Sequence, residues 1–145
     1  MGKQVVLVHS IPKARLADVL RDGLKAESEF QDFGLEMRRN VIYCWLRKED
    51  DKMYTGDQSA DRVYVEIAVD EYRCRVADMD VISIAMAYAN GWSGKPRNPE
   101  ASGLFAEAYR ATSVLISEYS AGMFYTPEVL VKGDIAPECI RVLDE

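Results

Sequence analysis

The sequence has one histidine, three cysteines and two tryptophans among its 145 residues, and each scarcity closes off a class of chemistry. With His9 as the sole imidazole, no site built on several histidines can hold a metal. Cys44, Cys74 and Cys139 are widely spaced, odd in number and free of any CxxC pair, which argues against a zinc cage or a disulfide framework. Each lies in an apolar or strand-like stretch, as buried reduced thiols do, and a cytoplasmic setting is expected. No apolar run approaches the roughly 20 residues of a membrane-spanning helix. The opening MGKQVVLVHS is too brief for a secretory leader, and Val6 stands where a myristoylation signal wants Ser or Thr. A basic excess is also lacking. Acidic residues number 24 against 18 basic ones, a formal net charge of −6, which disfavours broad binding along a nucleic-acid backbone. Only Arg38–Arg39 and the Arg73 and Arg75 pair cluster locally. There is no G-x-S-x-G elbow and no Gly-rich phosphate loop.

What is present is ordinary globular material, 48% hydrophobic and 29% charged, of a length that suits a single domain over residues 1–145. Gln4–Val8 is almost uniformly apolar and reads as a strand covered on both faces. Ser10 and Pro12 then supply a helix start, with Leu16, Val19 and Leu20 on the inward face and Gly23 closing the helix. Glu27–Asn40 has no period and reads as a loop with one helical turn. Val41–Leu46 is a strand placing Val41, Tyr43 and Trp45 on one face and Ile42, Cys44 and Leu46 on the other. Lys48–Asp61 is a polar surface connection.

Arg62–Asp70 is the cleanest strand, with Val63, Val65, Ile67 and Val69 at every second position. Tyr72–Ala77 continues the sheet after a turn. Asp80–Ala89 reads as a short helix and Ala101–Glu118 as a longer one. Its expected inward stripe is Leu104, Phe105, Ala108, Thr112, Leu115, Ile116 and Tyr119. Between them NGWSGKPRNP is an exposed loop. Glu128–Lys132 is a strand, Gly133 a turn and Cys139–Leu143 a last short strand. Strands and helices mix without βαβ alternation, so the fold class is α+β with mostly antiparallel pairing.

His9 closes the first expected strand, and taken alone such a histidine is more often a packing residue than a functional one. A Cys–His nucleophile is weakly supported, because nothing identifies which cysteine would meet it. Three segments in order say more. The first is VLVHSIPKARLADVLRDGLKA, a strand, a histidine, a corner and a helix ending in Gly-Leu. The second is NVIYCWL, an aromatic in a second strand. The third is YTPEVLVKGDIAPECIRVLD, a carboxylate opening a strand, then a Gly turn, a Pro and a final strand.

This succession resembles the ADP-ribosyltransferase superfamily of the His-Tyr-Glu type, nearest to its compact bacterial branch that includes DNA-targeting enzymes. Close agreement lies in the first 25 residues and in Tyr125–Asp144. The resemblance implies a mostly antiparallel split sheet with flanking helices, and NAD as a substrate. It implies that Glu128 steadies the oxocarbenium-like ribose as nicotinamide leaves. Tyr43 would stack on nicotinamide, with Trp45 an equal candidate on the same strand face. His9 would bond a ribose hydroxyl of the adenosine half, and Ser10 with the helix start after it would add a hydroxyl and backbone N–H groups. Arg38 or Arg39 would approach the pyrophosphate, although a solvated pair on a loop is the plainer account of them.

Two departures shape the expectation. Many relatives have Gly and then Thr or Ser after the histidine, where this chain has Ser10 and Ile11. Thr126 stands two residues before Glu128 where branches that modify arginine carry Glu or Gln, so arginine modification is disfavoured. RNA 2′-phosphotransferases share the fold but want several arginines around the histidine, and the neighbours of His9 are not basic. The expected activity is therefore NAD-dependent mono-ADP-ribosyl transfer to a nucleic-acid base or a protein side chain, with Gly91–Pro99 as a substrate-side lid. The alternatives are a non-catalytic module of the same fold binding a nucleotide or a protein, and an NAD glycohydrolase.

Overall fold

Alternating apolar strands and amphipathic helices give seven strands and three helices among the described residues. In the computed structural model, residues 3–27, 32–51 and 61–143 are described. In chain order the elements are β1 (Gln4–Pro12), α1 (Leu16–Asp22), β2 (Val41–Cys44), β3 (Arg62–Asp70), β4 (Cys74–Asp78), α2 (Met79–Asn90), α3 (Pro99–Thr112), β5 (Val114–Leu115), β6 (Pro127–Lys132) and β7 (Ile140–Val142).

The strands form two antiparallel sheets, one in the order β1-β3-β7 and one in the order β2-β6-β4-β5. β1 and β3 pair along their whole length, from Gln4 opposite Asp70 to Pro12 opposite Arg62. The sheets meet where Val8 and Trp45 exchange backbone hydrogen bonds of 2.8 and 2.7 Å. Period two has a clear consequence at β2. Ile42 and Cys44 enter a core shared by the two sheets, with Leu7, Ile11, Val65, Ile67, Val129 and Val131. Val41 and Tyr43 face a second core, made with Ala77 and Leu130 of the same sheet and with Ile82, Ala85, Ala106 and Tyr109 of α2 and α3. Covered on both sides, β6 is buried from Pro127 to Val131, as its continuous apolar sequence requires.

Several expectations are corrected. The first strand does not end at His9, because Ser10 to Pro12 continue the ladder opposite Tyr64 to Arg62. Ser10 therefore caps no helix. A 3-10 turn at Lys13–Arg15 follows, and α1 begins only at Leu16, without a side-chain cap. Leu20 of its expected inward face is exposed, while Val19 is buried. The second long helix ends at Thr112, because Val114 and Leu115 leave it to pair with Val76 and Arg75 of β4. Its inward stripe is also rotated. Ser102, Ala106 and Tyr109 are buried, whereas Leu104 is 69% exposed. The reason is the neighbour: α3 lies close enough to α2 for the Ser102 hydroxyl to donate to the Ala85 carbonyl at 2.8 Å, and small residues permit that approach. In the polar connection after β2, Asp50 and Asp51 are buried rather than surface residues, while its residues 52–60 lie outside the described residues.

Cys44, Cys74 and Cys139 are free thiols. Burial raises the pKa of Cys44 well above the ordinary thiol value and that of Cys74 to about 11, so neither forms a ready thiolate. Among the described residues no helix is long and apolar enough to cross a membrane.

Gly23 ends α1 at φ +85°, its N–H bonded to the Val19 carbonyl at 2.8 Å. A Cβ there would collide with the Ile135 carbonyl oxygen, which accepts from Leu24 N–H at 2.9 Å. Gly23→Ala is expected to lower the unfolding free energy by about 2 kcal/mol, combining left-handed strain with the displaced Leu24–Ile135 pairing. Urea titration of the variant checks this.

Candidate functional site

The site is built where β6 passes under α3. Glu128 is the second residue of β6, opposite Ala77 of β4, and shares a strand face with Leu130. That face carries α2 and α3, so the carboxylate is only 6% exposed. A charge in such a place is costly unless paired, and Glu128 is paired. The Tyr109 hydroxyl donates to its Oε2 at 2.7 Å. Arg38 Nη1 lies 3.4 Å from the same oxygen and donates to the Tyr109 hydroxyl at 3.0 Å.

Arg38 comes from the 3-10 turn Glu36–Arg38. Its guanidinium lies between two rings, 4.9 Å from the centre of Tyr43 and 5.4 Å from that of Tyr109. The turn is fastened from β6. Lys132 Nζ donates to the Glu36 and Arg39 carbonyls at 2.7 and 2.6 Å, and Gly133 N–H donates to the Asn40 carbonyl at 3.0 Å. The Lys-Gly pair that ends the EVLVKG run thus holds the Arg38 backbone.

The Tyr43 hydroxyl donates to the Arg38 carbonyl at 3.4 Å. On its other side the Tyr43 carbonyl accepts from His9 Nδ1 at 2.6 Å. Since a carbonyl can only accept, Nδ1 carries the proton and a neutral His9 presents an Nε2 lone pair. His9, Tyr43, Arg38 and Glu128 therefore form one connected series, although they sit on β1, β2, a loop turn and β6.

Electrostatics follow from burial. Burial opposes the Arg38 charge, yet Tyr109, Glu128 and Tyr43 around it outweigh that effect and raise its pKa. Burial, then the Glu128 charge, pushes the Tyr109 phenol far above its usual range, so it stays protonated. His9 is lowered chiefly by burial, with Arg62 and Arg15 adding to it against the Tyr43 hydrogen bond. One polar atom is left over. Arg38 Nε is buried and, among the described residues, has no hydrogen-bond partner.

The lowered His9 value has a consequence for stability. The folded protein resists protonation at a pH where the unfolded chain, with a histidine pKa of 6.5, accepts it. The His9 contribution is thus complete above that pH and is lost as the pH falls from 6.5 through the lower folded value. The urea midpoint of the wild type is expected to drop between pH 7.5 and 5.5, and His9→Gln to drop less over the same interval.

The remaining expected site residues are placed differently. The Ser10 hydroxyl accepts from Arg62 Nε at 2.7 Å, and the Ser10 carbonyl from Arg62 Nη2 at 2.9 Å. It lies within β1, so no helix start stands beside His9 to offer N–H groups. The two arginines part company. Arg38 is buried, contrary to a solvated pair, while Arg39 is exposed, with Nε bonded to Asp32 at 2.7 Å and Nη1 3.8 Å from Glu36. Trp45 pairs with Val8 through its backbone. The Gly91–Pro99 stretch is an exposed loop up to Asn98, and Pro99 begins α3. Tyr109 was missed. The expected inward stripe lies on another face of α3, and nothing local marks a helix tyrosine as the partner of a strand acid.

Beside the cluster runs a groove of about 470 Å³, lined by Phe33, Leu35, Arg97, Pro99, Gly103 and Ala106 among others. Leu35 directly precedes the turn that carries Arg38, and Ala106 lies one turn before Tyr109. Among the described residues, no three His, Cys, Asp or Glu side chains gather as a metal site. No family model matches the chain, and neither a curated protein nor a solved structure matches it.

Proposed function

We propose that this chain is an NAD-dependent mono-ADP-ribosyltransferase whose acid is Glu128. The observation that carries the reading is the connected series His9, Tyr43, Arg38, Glu128, which links residues distant in sequence, three of which are the His, Tyr and Glu that the resemblance singles out. NAD fits the donor set on one point above all. Its pyrophosphate is an acceptor for guanidinium N–H groups, and Arg38 Nε is a buried donor without an acceptor among the described residues.

In this scheme the C1′–N bond of the nicotinamide ribose breaks and its electron pair leaves with nicotinamide. The Glu128 carboxylate stabilises the cationic sugar. A nucleophile of the acceptor then bonds to C1′ and releases its proton to solvent. His9 takes part through its Nε2 lone pair, toward a ribose hydroxyl. Because Glu128 is 6% exposed, substrate must draw Arg38 away from it, and the 3.4 Å Arg38 contact is weaker than the 2.7 Å Tyr109 hydrogen bond to the same oxygen. The acceptor is a nucleic-acid base or a protein side chain.

Purified protein incubated with NAD and, separately, with single-stranded DNA, duplex DNA, RNA and cell protein as acceptor pools is expected to release nicotinamide and label one pool. Release with free ADP-ribose as the sole product would identify a glycohydrolase. The burial of Glu128 specifically favours a second reading, a non-catalytic module of the same fold that binds a nucleotide or a protein. Calorimetric titration with NAD and ADP-ribose separates them, since binding without turnover supports the module.

A further inference from the structure

The buried face of α3 is made of small residues except at one position. Ser102 and Ala106 let the helix approach α2, and Tyr109 follows with no exposed surface at all. Phenylalanine would fill the same space at lower cost, since a buried hydroxyl must find partners. The Tyr109 hydroxyl finds two, donating to Glu128 Oε2 at 2.7 Å and accepting from Arg38 Nη1 at 3.0 Å.

The two groups holding Oε2 are not equivalent. Arg38 is at 3.4 Å and belongs to a short turn in the loop before β2. Tyr109 is closer and belongs to a helix of 14 residues packed on the sheet. When substrate draws the guanidinium away, the phenol remains. We propose that Tyr109 is the positioning residue for Glu128, fixing the plane of its carboxyl group for the ribose through a hydrogen bond to Oε2. The proposal rests on the NAD reading above.

Two physical consequences follow. A carboxyl group is planar, so anchoring Oε2 also sets the direction of Oε1, and the acid does not have to be oriented when the transition state forms. The phenol is always protonated at working pH, so it always donates, which favours the carboxylate over the carboxylic acid. Tyr109 itself touches neither the sugar nor nicotinamide in this scheme.

The test is Tyr109→Phe, measured with NAD as substrate over a range of pH. The expected result is a fall in kcat for nicotinamide release of about tenfold or more, the size of a lost hydrogen bond to a charged group. KM for NAD should stay within about twofold, since binding is not its task. The acidic limb of the kcat profile should move upward by about one pH unit, because the carboxylate loses a donor. A merely structural tyrosine would lower the melting temperature and leave the acidic limb in place. Should Tyr109→Phe fail to fold, 3-fluorotyrosine incorporated at position 109 keeps the ring and strengthens the donor, and the acidic limb should then move down.

The failures are separable. Wild-type turnover with an unmoved acidic limb and unchanged kcat in the variant overturns the role of Tyr109 and leaves the NAD reading intact. A wild type that releases no nicotinamide with any acceptor pool overturns the NAD reading, and the proposal with it.

Discussion

Arg38→Met is expected to lower the unfolding free energy by about 3–5 kcal/mol, the range for breaking a buried ion pair from one side. The methionine stem occupies much of the arginine path, so the loss is not chiefly a cavity. It comes from leaving the Glu128 carboxylate, 7% exposed as a side chain, without its cation. Loss of the guanidinium from between the Tyr43 and Tyr109 rings adds to it. The urea midpoint should fall with the slope unchanged, the signature of altered stability rather than altered compactness. Combining Arg38→Met with Glu128→Leu should recover much of the loss, because the cost lies in a buried negative charge that no longer faces the guanidinium. A single variant within about 1 kcal/mol of wild type would show that the cluster is not coupled as described.

Glu128→Gln is expected to have the largest effect on activity, a fall in nicotinamide release of about a thousandfold, the upper range for removing one stabilising group from a developing charge. The amide keeps the shape and can still accept from Tyr109 through its carbonyl oxygen. It lacks the negative charge that a cationic sugar requires. Affinity for NAD should change by less than about threefold, because the pyrophosphate contact belongs to Arg38 in this scheme. Calorimetry on the variant reads binding, and chromatography of nicotinamide reads turnover. Retained turnover would remove Glu128 from the chemistry.

Much of the fold was legible where side-chain periodicity is a local signal. β3 begins and ends at Arg62 and Asp70 as its alternation predicts, and the two faces of β2 enter the two cores that period two assigns them. The misreadings share a cause in partners distant along the chain. Ser10 and Pro12 carry local helix-start chemistry, but the ladder to β3 extends through both. On α3 two stripes compete at helical spacing. The more apolar one is a sound choice for an isolated helix, yet contact with α2 selects Ser102, Ala106 and Tyr109.

The candidate site divides in the same way. His9, Tyr43 and Glu128 are singled out by the resemblance of their three segments to a His-Tyr-Glu superfamily, since strand periodicity alone selects none of them. Arg38 and Arg39 could not be told apart, since adjacent arginines in an aperiodic loop look alike. Their difference is made by Tyr109 and Glu128, 71 and 90 residues further along. Tyr109 was invisible for a related reason. A tyrosine on a helix reads as core until the strand beneath it is known to carry an acid.

The burial of Glu128 is the feature that most sharpens the account. An exposed carboxylate at a strand end would have been unremarkable surface charge. A buried one, held by a tyrosine and an arginine, has a set orientation and an arginine neighbour whose Nε has no acceptor among the described residues. On the proposed reading substrate exchanges the Arg38 contact for its own; on the second reading the same burial makes Glu128 a structural member of the core.

The most direct test is quantification of nicotinamide and of the ADP-ribosyl group after the wild-type chain has been incubated with NAD and each acceptor pool. The account predicts nicotinamide accumulating with time and in proportion to enzyme, with an equal amount of ADP-ribosyl group recovered on one acceptor. NAD recovered intact from every incubation would contradict it.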